Sequence, residues 1–157
     1  MLLCFNESPF LMTQLPLPYS EIRRQLNAGE QSCVGLVQKH LAQIDAHNVE
    51  LNAFLAVYRE EALARAKAID EKLVAGEAGP LAGLVVGIKD LLCYESHGSQ
   101  AGSQILNGFE STFSATAVQR LLDADAIIIG RQNCDEFGMG STNENSSFGP
   151  VLNFANT

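Results

Sequence analysis

A single lysine, Lys89, follows a run of apolar residues in the stretch GLVVGIKDLL, residues 83–92. An ammonium group removed from water is costly unless it is paired or loses its proton. Strand alternation places Val85, Gly87 and Lys89 on one face, and Gly87 leaves open space beside the lysine stem. The pattern predicts either a lysine that works in a cavity or a strand-end residue that pairs with Asp90 or extends to solvent.

A second stretch, GMGSTNENSSFG at residues 138–149, is rich in small residues and in hydroxyl and amide groups. Ser141 and Glu144 have the spacing of a capping box, which predicts the start of a helix. Small polar residues of this kind also line substrate pockets. In that second interpretation Met139, Gly140 and Ser141 are the candidate substrate-binding residues.

Two adjacent carboxylates, Asp135 and Glu136, come soon after the apolar run AIIIG at residues 126–130. Paired carboxylates bind Mg²⁺, but they also suit the first turn of a helix, where negative charge complements the helix dipole. We favour the helix. The sequence has no GxSxG elbow, and its histidines are not spaced for a Ser–His pair or a metal site; they are His40, His47 and His97. The sequence therefore predicts no metal site.

Composition limits the function classes. The 157 residues, 46% hydrophobic and 18% charged, are enough for one globular core. A net charge of −8 argues against direct capture of nucleic acid by this segment. The four cysteines show no zinc or disulfide pattern, and no secretory signal or membrane-spanning run is evident, which predicts a cytoplasmic protein with reduced thiols. Residues 1–11 are a possible extension, because Met12 is a more ordinary start.

Apolar periodicity predicts three helices and a short strand in residues 12–79. These elements are a helix capped by Ser20 and ending near Gly29, a helix capped by Ser32, a strand at 52–58, and a helix from Glu60 to Leu73 that ends at Gly76. On the third helix, Glu61 and Arg65 are spaced for an ion pair.

Residues 80–157 have a different character. A strand at 84–89, a helix capped by Ser114 and a buried strand at 126–130 follow one another, with a loop rich in glycine and serine after the first strand. The order strand, helix, strand predicts a crossover connection and a parallel or mixed sheet. The fold class is therefore α/β, with a mixed sheet covered by helices.

Three stretches together resemble the amidase signature family in their order and spacing: GPLAGLVVGIKDLL, TAVQRLLDADAIIIGRQNCDEFGMGS and NENSSFGPVLN. The resemblance covers about residues 19–157 and is specific from Pro80 onward. It implies that residues 80–157 are the start of the amidase core and that the chain is the amino-terminal part of the family's fold. Asp125 stands where similar sequences usually carry glycine, and aspartate tolerates left-handed backbone geometry better than most residues.

The resemblance also implies a chemistry. The family uses a serine, a cis-serine and a lysine, and the lysine motif matches Gly83–Asp90, which makes Lys89 the catalytic lysine. A desolvated, neutral amine relays a proton through the bridging serine and activates the nucleophile. We expect Lys89 at the end of a central strand with its stem covered. In the family both serines follow a motif like GPVLNFANT, so we expect them beyond Thr157 and expect the 157 residues alone to be inactive.

The run DEFGMGSTNENSSFGP is most similar to the branch of the family that serves as the amidase component of tRNA-dependent amidotransferases. That branch implies glutamine hydrolysis supplying ammonia to mischarged Glu-tRNA(Gln) or Asp-tRNA(Asn). It also implies a tRNA-binding kinase/transferase subunit that uses ATP and Mg²⁺, a small wrapping subunit, and no cofactor in this chain. The alternatives are a stand-alone amidase signature hydrolase of a small amide and a non-catalytic fragment or assembly module.

Overall fold

The computed structural model describes residues 17–153, so the possible extension at residues 1–11 lies outside the described part. Its elements in chain order are α1 Tyr19–Asn27, α2 Cys33–Leu51, β1 Phe54–Val57, α3 Arg59–Ala75, β2 Val85–Lys89, α4 Thr116–Asp123, β3 Ile127–Gln132 and a 3₁₀ turn at Glu136–Gly138. No helix among residues 17–153 is long and apolar enough to cross a membrane. The division of the chain at Pro80 stays a prediction.

The three strands form one mixed sheet in the order β1-β3-β2. Strand β2 pairs with β3 in parallel and is joined to it through α4, as the crossover pattern predicts. Strand β1 pairs with the other edge of β3 in the antiparallel direction. The predicted mixed α/β fold is confirmed, and β3 runs two residues beyond the predicted apolar run, through Arg131 and Gln132.

Strand β3 is apolar on both faces because both faces are covered. Ile127 and Ile129 join the core formed with helices α1, α2 and α3. Ile128 faces the opposite way and packs with Ile88 and with Val118 of α4. The continuous apolar run of β3 is thus the pattern of a strand buried on two sides.

The predicted helix caps are confirmed at one serine and wrong at two. The Ser32 hydroxyl accepts a hydrogen bond from the Gly35 backbone N–H at 3.0 Å, which caps α2 as predicted. Ser20 lies inside α1, because Pro18 takes the capping position. Ser114 does not cap α4, because its hydroxyl accepts instead from the Glu95 N–H at 3.1 Å.

The predicted Glu61–Arg65 pair is replaced by contacts to other elements. Arg65 donates to the backbone carbonyl of Ala126 at 2.6 Å. It also donates to the backbone carbonyl of Leu122, which lies near the end of α4. Glu61 accepts from the Tyr94 hydroxyl. Exposed ion pairs on a helix contribute little, so partners on neighbouring elements prevail.

Asp125 adopts the left-handed geometry inferred from the sequence, with φ of 67°, and its side chain has a role that the sequence did not indicate. Its carboxylate accepts from the Lys72 ammonium at 2.7 Å and from the Gly79 N–H at 2.7 Å. Burial alone would raise the pKa of this carboxyl, but these two hydrogen bonds outweigh it and hold the pKa below its usual value. Asp125 therefore ties α3 and the segment before β2 to the start of β3.

Replacing Asp125 with alanine should destabilise the 157-residue chain. We expect Asp125→Ala to lower the free energy of unfolding by about 1–2 kcal/mol at neutral pH, because two hydrogen bonds are lost. The difference should shrink below about pH 4, since a carboxyl with a lowered folded-state pKa stabilises the fold only above its unfolded pKa. Urea denaturation of the unmodified chain and of Asp125→Ala measures the difference in the free energy of unfolding. The exposed Asp123→Ala is the control. Equal stability at neutral pH would contradict the assigned role.

Candidate active site at the end of strand β2

Lys89 is the last residue of β2, as the sequence predicts, but its surroundings differ from the expectation. Strand β2 lies at the edge of the described sheet rather than at its centre, because within residues 17–153 it pairs only with β3. The Lys89 side chain is accordingly exposed, and its stem is not covered by apolar neighbours. Its ammonium makes no hydrogen bond or ion pair within those residues, so it does not pair with Asp90.

The open space expected beside Gly87 is filled by the side chain of Gln132. A β-carbon built at Gly87 would lie 2.9 Å from the amide carbon and nitrogen of Gln132. Gln132 is the residue that pairs in register with Lys89 across β2 and β3. The absence of a side chain at Gly87 thus makes room for a neighbouring amide and not for the lysine stem.

The segment that follows β3 is not the predicted helix. After β3 the chain forms one 3₁₀ turn at Glu136–Gly138 and is then irregular to residue 153. Ser141 therefore starts no capping box, and the Glu144 carboxylate instead accepts from the Thr142 hydroxyl at 2.8 Å. Asp135 and Glu136 accordingly do not begin an α-helix.

The physical reason is the buried carboxylate of Asp135. Its two oxygens accept from the backbone N–H groups of Asn143 and Asn145, both at 2.9 Å, which holds the chain in a loop. A β-carbon at Gly140 would overlap this carboxylate, so the loop requires glycine there. The hydrogen bond from Asn145 is the largest cause that lowers the pKa of Asp135; burial opposes it, and Asn143 and the Lys89 ammonium add to the lowering.

These contacts leave no carboxylate pair for a metal ion. Both Asp135 oxygens are engaged by the backbone, and Glu136 accepts from the Ser103 hydroxyl at 2.6 Å. Across residues 17–153 no three His, Cys, Asp or Glu side chains are grouped to hold a metal.

The structure brings Lys89 next to the predicted substrate-binding segment. A β-carbon at Gly138 would lie 4.0 Å from the Lys89 Nζ and 2.7 Å from the Leu91 Cδ1. Met139, Gly140 and Ser141 come directly after Gly138, and all three are exposed. The arrangement is an unpaired amine near Gly138, the residue from which the exposed rim Met139–Ser141 begins. Such an amine can exchange a proton with a group placed against that rim.

Two buried charged residues behind Lys89 were missed by the sequence reasoning. Asp90 is fully buried, and its carboxylate accepts from the backbone N–H groups of Gln100 at 3.1 Å and Gly102 at 2.9 Å. Arg131 is also buried, lies 3.5 Å from Asp90 and donates to the Leu92 carbonyl at 2.9 Å. The sequence contained a signal for them. Asp90 and Arg131 are charged residues at the ends of two apolar strands, and a loop that contains glycine follows the first of these strands.

A second missed group surrounds His97, which the sequence placed in a loop without a role. Its ring stacks on Tyr94 with centroids 4.0 Å apart, and its Nε2 lies 2.8 Å from a Glu61 carboxylate oxygen. Burial, and after it the neighbouring Glu61, raises the pKa of Tyr94. These contacts join the loop after β2 to α3, so they support the candidate site without being part of it.

Known proteins are similar to this chain over most of its length. The family model described as Amidase matches residues 35–157. A Glutamyl-tRNA(Gln) amidotransferase subunit from Salinibacter ruber is 47% identical over 135 residues, which are 86% of this chain and 26% of that protein. The corresponding protein from Burkholderia thailandensis, which has the same name, is 50% identical over 134 residues, 85% of this chain and 27% of its own. The chain thus spans about a quarter of the length of these curated relatives.

The fold has counterparts among solved structures. One belongs to a vestigial protein complex described as revealing the evolutionary origins of an s-triazine catabolic enzyme. It superimposes with a TM-score of 0.83 at 36% sequence identity, over 88% of this chain and 31% of that one.

Replacing Asp135 with asparagine should loosen the loop that carries Met139–Ser141. An amide side chain offers one acceptor where the carboxylate offers two, so the N–H of Asn143 or Asn145 loses its partner. We expect Asp135→Asn to reduce the hydrogen-exchange protection of these amides about tenfold at neutral pH, the equivalent of one lost hydrogen bond.

The pH dependence follows from the lowered pKa of Asp135. In the unmodified chain the protection should persist above the unfolded pKa of about 4 and be lost as pH falls through the lower folded value. The exposed Asp45→Asn is the control. Protection in Asp135→Asn equal to that of the unmodified chain would show that the carboxylate does not hold the loop.

Proposed function

The chain belongs to the Amidase family, and from that premise we propose that it is the amino-terminal part of the amidase component of a tRNA-dependent amidotransferase. The whole protein would hydrolyse glutamine and supply ammonia for converting Glu-tRNA(Gln) to Gln-tRNA(Gln). The two relatives named as Glutamyl-tRNA(Gln) amidotransferase subunits, 47% and 50% identical, support the assignment. The preference for Glu-tRNA(Gln) over Asp-tRNA(Asn) is part of the proposal and follows the names of those relatives.

The observation that carries the proposal is the amine of Lys89 at the end of β2. It is unpaired within residues 17–153, and its Nζ would lie 4.0 Å from a β-carbon at Gly138, the residue that precedes the exposed rim Met139–Ser141. Catalysis of amide hydrolysis needs a group that accepts a proton from the nucleophile and returns it to the leaving amine. An amine held by a strand end supplies such a group when sequence beyond Thr157 covers it, because removal from water favours the form that can accept a proton.

In the proposed reaction Lys89 accepts the proton of a serine hydroxyl through a bridging serine. The serine oxygen bonds to the carboxamide carbon, the carbon–nitrogen bond breaks, and the nitrogen leaves as ammonia with the returned proton. Water then hydrolyses the acyl ester, which releases glutamate and restores the serine. We propose that both serines come from sequence beyond Thr157. The engagement of described serine hydroxyls in other hydrogen bonds supports this; the engaged residues are Ser99, Ser103, Ser111 and Ser146.

The remaining parts of the proposal concern partners and location. A tRNA-binding kinase/transferase subunit would use ATP and Mg²⁺, and a small subunit would wrap the amidase, with no cofactor bound by this chain. The net charge of −8 supports assigning tRNA binding to a partner. A cytoplasmic location is supported by the thiols of Cys33, Cys93 and Cys134, none of which forms a disulfide.

The role of Lys89 is tested in a chimaeric enzyme. Residues 17–153 replace the matching segment of the Burkholderia thailandensis relative, and ammonia release from glutamine is measured. Lys89→Ala should lower kcat at least about 100-fold, the usual contribution of a proton-transfer group. Lys89→Arg should fail equally, because guanidinium does not lose its proton in proteins.

The matched controls are Lys67→Ala and Lys67→Arg, which change an exposed lysine on α3. Both should keep the activity of the unmodified chimaera. Near-normal turnover by either Lys89 variant would refute the proton-transfer role. Comparing glutamine with other small amides distinguishes the amidotransferase component from a stand-alone amidase.

A separate prediction concerns the 157 residues alone. We expect no ammonia release from glutamine, because a proton acceptor without its nucleophile does not catalyse acyl transfer. The assay compares the purified chain, with its fold checked by circular dichroism, with the chimaera. Activity in the short chain that disappears on Ser141→Ala would show that the nucleophile is local and that this assignment is wrong.

A further inference from the structure

A short loop, residues 99–103, lies between the end of β2 and the segment that carries Met139–Ser141; we call it the spacer loop. Four hydrogen bonds join it to one residue, Asp90. The Asp90 carbonyl accepts from the Ala101 N–H at 3.0 Å and from the Ser99 hydroxyl at 3.2 Å. The Asp90 carboxylate accepts from the Gln100 and Gly102 N–H groups. The spacer loop is therefore fixed to the residue that directly follows Lys89.

The other side of the spacer loop holds the segment after β3. The Ala101 carbonyl accepts from the Phe137 N–H at 2.8 Å, and the Gly102 carbonyl accepts from the Ser147 N–H at 2.8 Å. The Ser103 hydroxyl donates to Glu136 at 2.6 Å. The same short loop thus binds Asp90 on one side and residues 136–147 on the other.

These contacts form a closed path that begins and ends at Lys89. The path runs from Lys89 to Asp90 along the chain, across to Ala101, and across again to Phe137. It then passes to Gly138, whose built β-carbon would be 4.0 Å from the Lys89 Nζ. The backbone of Lys89 is consequently joined to that of Gly138 through the spacer loop.

We propose that Asp90 is a positioning residue that sets the gap between the Lys89 amine and the rim Met139–Ser141 through the spacer loop. The proposal rests on the proposed function, in which that gap receives the substrate amide. Asp90 is fully buried beside Arg131, so its charge is compensated in place by an opposite charge 3.5 Å away. Proton transfer depends steeply on such distances, which gives a positioning residue its effect.

Asparagine cannot replace Asp90 in this role. Its amide has one acceptor oxygen and one donor nitrogen, so one of the two loop N–H groups would face another donor. Asp70 provides a matched control, because its carboxylate also accepts from two backbone N–H groups, those of Cys33 at 2.7 Å and Val34 at 3.1 Å. Asp70 lies on α3 and secures the start of α2, with no hydrogen bond to the spacer loop. Both substitutions to asparagine remove the same kind of interaction.

The gap is measured by cross-linking in the 157-residue chain. Met139 is 88% exposed, so Met139→Cys places a reactive thiol on the rim without disturbing the core. A short amine-to-thiol reagent joins Lys89 to that thiol, and mass spectrometry of the peptide pair gives the rate of cross-link formation. Asp90→Asn should lower this rate about tenfold relative to Met139→Cys alone, because the two groups no longer share a fixed separation.

Two further variants make the result decisive. Ser103→Ala removes the hydroxyl's bonds to Glu136 and to the Ile105 N–H but leaves every bond to Asp90 in place. It should lower the rate in the same direction by a smaller factor, which keeps a test available if Asp90→Asn does not fold. Asp70→Asn should lower thermal stability but leave the cross-linking rate at the Met139→Cys value. The three variants are compared below their unfolding transitions.

A rate that is unchanged in folded Asp90→Asn, or in Ser103→Ala where Asp90→Asn is unfolded, would overturn the proposal. An equal loss of rate in Asp70→Asn would overturn it too, because the effect would then follow from stability alone. The readout is a distance, so it is separate from catalysis. If Lys89→Ala keeps the chimaera active, the proposed function fails while cross-linking still decides whether Asp90 sets the gap.

Discussion

The burial of two opposite charges at the ends of β2 and β3 constrains most of the surrounding structure. Asp90 and Arg131 are both inaccessible to water and lie 3.5 Å apart. Groups of this kind are tolerated only when hydrogen bonds satisfy them, because desolvation otherwise outweighs their attraction. The chain meets this requirement fully at Asp90, through backbone N–H groups of one loop, and in part at Arg131, whose Nε and Nη1 donate to Tyr58 and Leu92 while its buried Nη2 has no hydrogen-bond partner. The loops at this end of the sheet are therefore held by the need to satisfy charge.

One kind of contact, a buried carboxylate that accepts from two backbone N–H groups, occurs twice around Lys89. Asp90 and Asp135 are both buried, and each accepts from two N–H groups two residues apart, at 100 and 102 and at 143 and 145. A carboxylate with two acceptor oxygens matches such a pair and fixes an irregular loop without a helix or a strand. Lys89 is next to one of these carboxylates in sequence, and its ammonium helps to lower the pKa of the other. An exposed amine thus stands on a rigid support.

The regular elements were predictable because their signals are local. Ser32 capped its helix, Gly76 ended another with φ of 75°, and the two-sided apolar pattern of β3 gave a buried strand. Ser20 failed for a local reason, since Pro18 takes the capping position. Three other failures share one cause. Ser141, Ser114 and the Glu61–Arg65 pair each have a locally adequate pattern, but their groups or their neighbours bind partners distant in sequence. Local spacing does not reveal such partners, and for that reason the contacts around Lys89 were less predictable than its strand.

The open flank of β2 has a consequence for solubility. Within residues 17–153 one side of this strand has no partner, so its backbone groups are available to a strand from another molecule. Lys89 is the one charged side chain in β2, and a lysine on an edge strand discourages such pairing by keeping its charge hydrated. The residue for which we propose proton transfer is therefore also one that disfavours strand pairing between molecules. Replacing Lys89 with a neutral residue leaves β2 with no charged side chain, which removes this obstacle to pairing along its open edge.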